Sequence, residues 1–290
     1  MRLGYACINT SLDCTSGSTF RLKSYSEEKL IEKVQSNLDC FMRILKWNVE
    51  NDIYFFRLGS GLVPFASHPV CKFNWQEYFK EYFEMIGKYI RKNKIRVTMH
   101  PDQFVIINSA SEKIIERSIM ELKYHCEVLD LLGLGTDSKM TIHVGGVYGD
   151  KEKSIDRFVS SYKKLPLNIK KRLVIENDHV SYSLRDCLKI HKRTGVPVVF
   201  DTFHHECLNN GEGMREAVLL SKKTWKKSDG DLIVHYSSQK KGGRKGSHSE
   251  SVDIRNFKKI MKEIGNLSFD LMLEIKDKEK SLLKIREALR

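Results

Sequence analysis

Six short apolar segments of this chain each end in a side chain that can bind a metal ion. These six residues are His100, His143, Glu176, Asp201, His235 and Glu274. Short β-branched segments are typical of buried parallel strands. A polar residue at the same end of every strand would bring the six side chains to one place. Three imidazoles and three carboxylates at one place predict a cage for divalent cations.

The carboxylates carry the larger part of this argument. A carboxylate at the end of an apolar strand is costly to bury unless it is paired or binds a metal. Several together would repel one another and raise their pKa values, which bound dications would relieve. Glu176, on the fifth predicted strand, is central and is predicted to bridge two metals. His204 lies three residues after Asp201 and is predicted to bind the same centre. The alternative is pairing of these carboxylates with Arg or Lys at the same edge.

Eight alternating strand and helix segments have to position these residues. Strands that alternate with helices of 10–20 residues favour a parallel sheet. An open sheet would place its site at one switch point and would not need ligands from six strands. We therefore predict a single (β/α)8 TIM-barrel domain over residues 1–290, with its site at the C-terminal ends of the strands. The predicted strands are Arg2–Ile8, Ile53–Arg57, Ile95–Met99, Met140–Ile142, Leu173–Ile175, Val198–Phe200, Leu232–Val234 and Leu271–Leu273.

The charge of the chain favours a polyanionic partner. The 290 residues include 50 Lys and Arg against 37 Asp and Glu, a formal net charge of +13. The loop after the seventh strand carries Lys240, Lys241, Arg244 and Lys245 among glycines, which can approach and neutralise phosphates. A solvated loop is the alternative. Two dications about 3.5–4 Å apart can clamp the attacking and leaving oxygens of a phosphoryl transfer, so phosphodiester hydrolysis in nucleic acid is the predicted chemistry.

The cysteines and the N-terminus indicate the compartment. The seven cysteines are an odd number and include no Cys-x-x-Cys pair, which favours unpaired thiols in a reducing compartment over a disulfide framework. The N-terminus lacks the apolar core of a signal peptide, and no segment of about 18 apolar residues is present. We therefore expect a cytoplasmic protein with no membrane contact and no obligate protein partner.

A few further residues are candidates for contact with the substrate. Gln103 and Phe104 follow the third strand and could wedge into a base stack, although a core Phe is an equal interpretation of the same two residues. Tyr5 and Asn9, near the end of the first strand, could reach the DNA groove. His68 could act as an acid or base, contact phosphate, or be a surface residue.

Together these segments resemble the family of ATP-independent UV damage endonucleases along the whole chain. The resemblance implies a barrel related to endonuclease IV and the xylose isomerases, with two or three divalent ions. Manganese is the expected ion, and Mg²⁺, Zn²⁺ and Co²⁺ are alternatives. The matching segments are Arg2–Asn9, Arg57–Ser60 running on to His68-Pro69, His100–Phe104, Ile142–Gly146, Leu173–Asp178, Phe200–His205, His235–Ser238 and Met272–Lys278.

The resemblance also implies the reaction. Damaged double-stranded DNA would be cut immediately 5′ to cyclobutane dimers, 6-4 photoproducts or abasic sites, leaving 3′-hydroxyl and 5′-phosphate ends. Gln103 and Phe104 would fill the space left by extruded bases, and His248 and Lys276 would contact DNA together with the cations of the loop after the seventh strand. Glu176, His68 and His235 are the predicted catalytic residues.

Two departures from the family pattern stand out. The resemblance implies Lys in many relatives at the position of Ile233, and Tyr is common at the position of Phe104. Three other functions are alternatives to a UV damage endonuclease. They are a metal-dependent sugar isomerase or epimerase on the same barrel, a nuclease specific for abasic sites, and a DNA-binding scaffold with a structural metal.

Overall fold

Eight parallel strands close into a barrel in the order of the chain. The structure, a computed structural model, describes residues 1–289. Every strand pairs with its sequence neighbours, and β8 pairs with β1, which closes the sheet and confirms the predicted (β/α)8 TIM barrel. The strands are β1 Leu3–Ala6, β2 Phe55–Leu58, β3 Arg96–Met99, β4 Met140–His143, β5 Leu173–Glu176, β6 Val198–Asp201, β7 Ile233–Tyr236 and β8 Asp270–Leu273.

Helices follow the strands. The first, α1, begins after Ser26, whose side chain accepts a hydrogen bond from the backbone N–H of Lys29. The helices are α1 Glu27–Glu50, α2 Trp75–Tyr78, α3 Lys80–Lys92, α4 Glu112–Leu131, α5 Lys151–Lys164, α6 Leu167–Arg172, α7 Leu184–Thr194, α8 Thr202–Cys207, α9 Met214–Lys222, α10 Ile254–Ile264 and α11 Glu279–Ala288. Short 3₁₀ turns cover Leu22–Ser24, Ser60–Leu62 and Lys227–Asp229.

The barrel interior is filled by apolar side chains rather than forming a pore. Six buried residues form this inner cluster: Ala6, Phe55, Val174, Val199, Ile233 and Met272. All four residues of β2, β3 and β5 to β8 are buried, because the outer face of each strand is covered by helices. Ile233, where the family resemblance implies Lys, therefore lies in the inner apolar packing and brings no charged group toward the site.

Buried ion pairs close the N-terminal end of the barrel. Arg96, at the start of β3, donates to the Asp270 carboxylate at 3.0 Å and to the carbonyl of Asp229 at 3.0 Å. The Lys139 ammonium lies 2.5 Å from the Asp229 carboxylate and is fully buried. A buried charge is tolerated where it is paired and hydrogen-bonded, as here. The charged residues at this end of the barrel are therefore paired with one another and stabilise the fold.

The cysteines depart from the expectation of unpaired thiols. Cys14 and Cys40 form a disulfide with a Cα–Cα distance of 5.8 Å, which ties the loop after β1 to α1. The prediction was wrong for this pair because 25 residues separate the two cysteines along the chain, and only the packing of the loop on α1 brings them together. The other five cysteines are free thiols. None of the helices among residues 1–289 is long and apolar enough to cross a lipid bilayer.

Candidate metal centre

The structure brings the six strand-end side chains together at the C-terminal mouth of the barrel. His143, Glu176 and Asp201 are the last residues of β4, β5 and β6, and His100 and Glu274 directly follow β3 and β8. Their ligand atoms form two sets. Within each set all of the atoms lie within 4.8 Å of one another, so each set could hold a metal ion. The first set is His100, His143 and Glu176, and the second is Glu176, Asp201, His235 and Glu274.

Glu176 belongs to both sets and contacts the imidazoles around it. Its fully buried carboxylate lies 3.3 Å from Nε2 of His100 and 3.1 Å from Nδ1 of His235. Nδ1 of His204 lies 3.4 Å from the other carboxylate oxygen. Glu176 is therefore placed where it could bridge two cations, and His204 is adjacent to the second set.

Several buried polar atoms of this cluster have no hydrogen-bond partner among residues 1–289. In the described part of the chain, four such atoms belong to this cluster: Nδ1 of His143, Oε1 of Glu176, Oδ2 of Asp201 and Nδ1 of His235. Each unsatisfied buried polar atom costs about 1–3 kcal/mol. Divalent ions held by the two sets would take lone pairs of these residues, and imidazole with carboxylate is a donor set that suits Mn²⁺, Zn²⁺ and Co²⁺. The residues present therefore fit a metal centre.

Two of the histidines are oriented by backbone carbonyls. Nδ1 of His204 lies 2.9 Å from the carbonyl oxygen of Asn177, and Nδ1 of His100 lies 2.8 Å from that of Pro101. If Nδ1 donates its proton in each case, Nε2 is left free as the ligand atom. Such outer hydrogen bonds fix the tautomer and the ring orientation of metal-binding histidines.

The charges of the cluster depend strongly on one another. Burial alone would lower the pKa of His204, but the carboxylates of Asp201 and Glu176 raise it to about 11. Burial likewise opposes the charged form of His235, and Glu176 and Glu274 raise its pKa. Burial raises the pKa of Asp201 to about 6 and lowers that of His143 to about 4. Without an ion, protons on His204 and His235 therefore balance the carboxylates.

Residues that the sequence reasoning missed support the ligands. Asn177 is fully buried, donates to the carbonyl of Asp201 at 3.0 Å and accepts from the backbone N–H of Asp201 at 2.9 Å. Arg57, in β2, forms a buried ion pair with Glu274. His179 stacks beside His204 with ring centroids 5.2 Å apart. Asn177 and His179 closely follow Glu176 in the segment Glu-Asn-Asp-His, a polar run that could have pointed to them.

Tyr5 and Asn9 do not reach the surface, so the prediction that they contact DNA is corrected. Tyr5 is 0 % exposed and Asn9 is 2 % exposed. The Tyr5 hydroxyl donates to Oδ1 of Asn48 at 2.6 Å and accepts from the side chain of Asn9 at 2.8 Å. The β1 segment turns Tyr5 toward α1 rather than toward the mouth, and its hydroxyl is used to satisfy two buried amides.

We expect Tyr5→Phe to lower stability without changing DNA cleavage. Loss of the hydroxyl leaves the amides of Asn48 and Asn9 without that partner, at a cost of about 1–3 kcal/mol. Urea unfolding would measure the cost, with Tyr54→Phe as the control because the Tyr54 hydroxyl makes one exposed contact at 3.3 Å. A weaker affinity for DNA at unchanged stability would contradict this assignment.

His68 lies outside the cage. Its side chain is exposed, its ring packs against Phe65 at 6.4 Å, and its Nδ1 accepts from the backbone N–H of Val70 at 3.1 Å. His68 belongs to neither set of metal-binding atoms. Its catalytic role therefore stays a prediction with no support from the described contacts.

The remaining DNA-contact candidates lie on loops at the mouth. Phe104 is 77 % exposed, and Gln103 beside it is exposed as well. The cations of the loop after β7 are exposed, namely Lys240, Lys241, Arg244 and Lys245. His248 is partly buried, with Nδ1 2.6 Å from the carbonyl of Glu274, and the exposed Lys276 pairs with Glu250 at 2.7 Å.

Comparison with known proteins finds relatives along the whole chain. The sequence profile of the family described as "UV-endonuclease UvdE" matches residues 1–290. A protein of Clostridium perfringens (strain 13 / Type A) named "UV DNA damage endonuclease" is 42 % identical over 292 residues, covering 100 % of this chain and 71 % of that protein. A protein of Bacillus cereus (strain 03BB102) with the same name is 35 % identical over 300 residues, covering 100 % of this chain and 94 % of that protein.

Solved structures agree with the sequence comparisons. The crystal structure of SacUVDE superposes with a TM-score of 0.95 at 44 % identity, covering 100 % of this chain and 98 % of that one. Endonuclease IV from Thermus thermophilus shares the fold with a TM-score of 0.58 at 14 % identity, covering 100 % and 99 % of the two chains. A D-psicose 3-epimerase shares it with a TM-score of 0.56 at 14 % identity, covering 100 % and 97 %.

Proposed function

The chain belongs to the UV-endonuclease UvdE family and is a UV DNA damage endonuclease, and from this premise we propose how it acts. It hydrolyses the phosphodiester immediately 5′ to cyclobutane dimers and 6-4 photoproducts in double-stranded DNA, and abasic sites are further substrates. The ends produced are a 3′-hydroxyl and a 5′-phosphate. The reaction depends on two or three divalent ions, with Mn²⁺ as the preferred one.

The observation that carries the proposal is the sharing of Glu176 between two sets of ligand atoms. His100 and His143 would hold a cation on one side of Glu176, and Asp201, His204, His235 and Glu274 would hold one on the other. When bound, such ions supply Lewis-acid stabilisation of the attacking and leaving oxygens. Glu176 and His235 are the proposed catalytic residues because each contacts other members of the cage and both are fully buried or nearly so.

The surface around the cage suits damaged DNA. Four exposed apolar side chains lie on loops that follow barrel strands, namely Ile8, Phe104, Tyr148 and Val180. The exposed cations of the loop after β7 lie on the same side of the barrel and would neutralise phosphates. Apolar side chains beside a cationic surface favour contact with unstacked bases together with the backbone.

A sugar epimerase is the second candidate, because epimerases share this fold. Identities of 13–17 % to those structures concern the fold alone. A small sugar gives no reason for a cationic loop or for four exposed apolar residues at the mouth. The nuclease is therefore the function that the site supports best.

Nicking of irradiated plasmid tests the proposal directly. With Mn²⁺ we expect irradiated supercoiled DNA to become nicked circles and unirradiated DNA to stay intact. The reason is that a lesion exposes bases to the apolar side chains at the mouth of the barrel. EDTA should abolish nicking, and added Mn²⁺ in excess should restore it. Mapping the cut relative to a single photoproduct distinguishes incision on its 5′ side from other sites. Nicking that persists at full rate in EDTA would overturn the metal dependence.

We expect Phe104→Ala to weaken cleavage of damaged DNA without affecting folding. The side chain is 77 % exposed, so its removal costs little stability. Stacking between an aromatic side chain and a base contributes about 1–3 kcal/mol, so kcat/KM should fall roughly 5- to 150-fold. Leu167→Ala is the matched control, because Leu167 is 66 % exposed and begins α6, which precedes β5 at the opposite end of the barrel. Equal effects of the two substitutions would remove Phe104 from the DNA contact.

A further inference from the structure

The cationic loop after β7 is closed by backbone pairing at its base. Residues 239–248, here called the basic loop, begin and end at an antiparallel bridge between Gln239 and His248. The backbone N–H of Lys240 donates to the carbonyl of Ser247 at 2.7 Å. Within this hairpin the four cations are exposed, so pairing at the base alone does not fix where they lie relative to the cage.

On the far side of the loop, Gly246 packs closely against His179. Gly246 has a φ of +85°, in the left-handed region that favours glycine. A Cβ at this position would lie 2.3 Å from Cδ2 and 2.7 Å from Nε2 of His179. A side chain at this position would therefore displace the His179 ring. Gly242, in the same loop, has a similar φ of +70°, but a Cβ there would meet no atom within 4 Å.

His179 connects this contact to the metal cage. Its ring is 5.2 Å from the ring of His204, and it lies three residues after Glu176. At the base of the loop, Nδ1 of His248 lies 2.6 Å from the carbonyl oxygen of Glu274, and its ring meets Phe203 edge-on at 5.4 Å. The basic loop thus contacts the rest of the protein at two points, through Gly246 and through His248. Each contact lies beside a residue of the cage, His204 or Glu274.

We propose that His179 is a positioning residue that seats the basic loop through Gly246 and so holds its cations over the DNA backbone beside the metal cage. The inference rests on the proposed function and extends it to a residue outside the ligand set. A seated loop presents Lys240, Lys241, Arg244 and Lys245 in one arrangement. An unseated loop would lose conformational entropy each time it ordered on DNA, which weakens binding.

Four variants test the proposal: His179→Ala, Gly246→Ala, the combination of the two, and Gly242→Ala. Limited digestion with trypsin reports seating without any DNA, because the basic loop holds four cleavage sites. We expect His179→Ala and Gly246→Ala each to speed cleavage in the loop by at least about tenfold, as local opening becomes easier. Gly242→Ala introduces only backbone strain and should change the rate much less.

The combined variant separates this mechanism from general damage. Alanine at 246 clashes with the His179 ring, so the second substitution removes the clash and the combined effect should equal that of His179→Ala alone. On DNA, the KM of Gly246→Ala, which replaces no residue of the cage or of its supports, should rise by about fivefold or more, with a smaller change in kcat. The slope of log affinity against log salt should become less negative by about 0.9 for every phosphate that the loop no longer neutralises. A merely destabilised barrel would not change that slope.

Three outcomes would overturn the proposal. In the first, trypsin cleaves the loop of His179→Ala no faster than that of the parent protein. In the second, the effects of His179→Ala and Gly246→Ala on the trypsin rate multiply in the combined variant, and in the third, the slope of log affinity against log salt is unchanged in the variants. Failure of the parent protein to nick irradiated plasmid would instead contradict the proposed function. The trypsin measurement would still decide whether His179 seats the loop.

Discussion

Glu176→Gln should reduce nicking of irradiated DNA by at least about a thousandfold, while binding of damaged DNA largely survives. Glutamine keeps the size of the side chain but removes its charge, and a neutral amide cannot bridge two cations as a carboxylate does. Glu176 contacts His100, His204 and His235, so both sets of ligands lose their shared member. The loop residues at the mouth of the barrel that would contact DNA are unchanged, so binding of damaged DNA should be retained.

Nicking kinetics with Mn²⁺ and a separate binding titration in the absence of added metal would check this prediction. Glu279→Gln is the matched control, because Glu279 is also fully buried but bonds Thr10 and Ser11 instead of the cage. The control should keep nicking within a fewfold of the parent. Full activity of Glu176→Gln would remove this carboxylate from the mechanism.

Affinity for Mn²⁺ should fall by at least about a hundredfold between pH 7.5 and pH 5.5, because the ion has to displace protons. The carboxylates raise the pKa of His204 to about 11, so this imidazole carries a proton at neutral pH until an ion replaces it. Every proton displaced makes affinity change about tenfold per pH unit. Burial raises the pKa of Asp201 to about 6, so a further proton competes below that pH and the dependence steepens.

Calorimetric titrations in buffers of different ionisation enthalpy would count the protons released. We expect release of at least about one proton per protein near pH 7. His204→Gln should reduce the number by about one, since the displaced proton is then absent. His191→Gln is the control, because Nδ1 of His191 lies 2.8 Å from the carbonyl of Val196 and the residue is not part of the cage. Metal affinity independent of pH would show that the imidazoles are already neutral before the ion binds.

The barrel and its cage follow from local patterns that the sequence displays. Each of the six strands that supply a ligand contains a short, mostly apolar run, because parallel strands are buried on both faces, and each ligand directly follows its run. α5, α7 and α10 each begin at a capping residue and carry an apolar face, which are signals that a sequence displays. The two six-residue helices, α6 and α8, are too short to display helical periodicity in the sequence.

Features that depend on the meeting of distant segments were not predictable. The alternation of residues along β1 did not show whether Tyr5 faces α1 or the mouth, and only the position of Asn48 decides it. The contact between His179 and Gly246 joins residues 67 positions apart, across a loop whose path no local pattern dictates. The disulfide depends in the same way on how the loop after β1 packs on α1.

Asp201 has one oxygen committed to the backbone and one directed at the cage. Oδ1 accepts from the N–H of His204 at 2.7 Å and begins α8, whereas buried Oδ2 has no hydrogen-bond partner among residues 1–289. Its own N–H and carbonyl are both held by Asn177. The Asp201 carboxylate is thus preorganised for an ion, and these hydrogen bonds leave it little freedom to change its position. Ionic radius, rather than rearrangement of the protein, would then decide which cations the cage accepts.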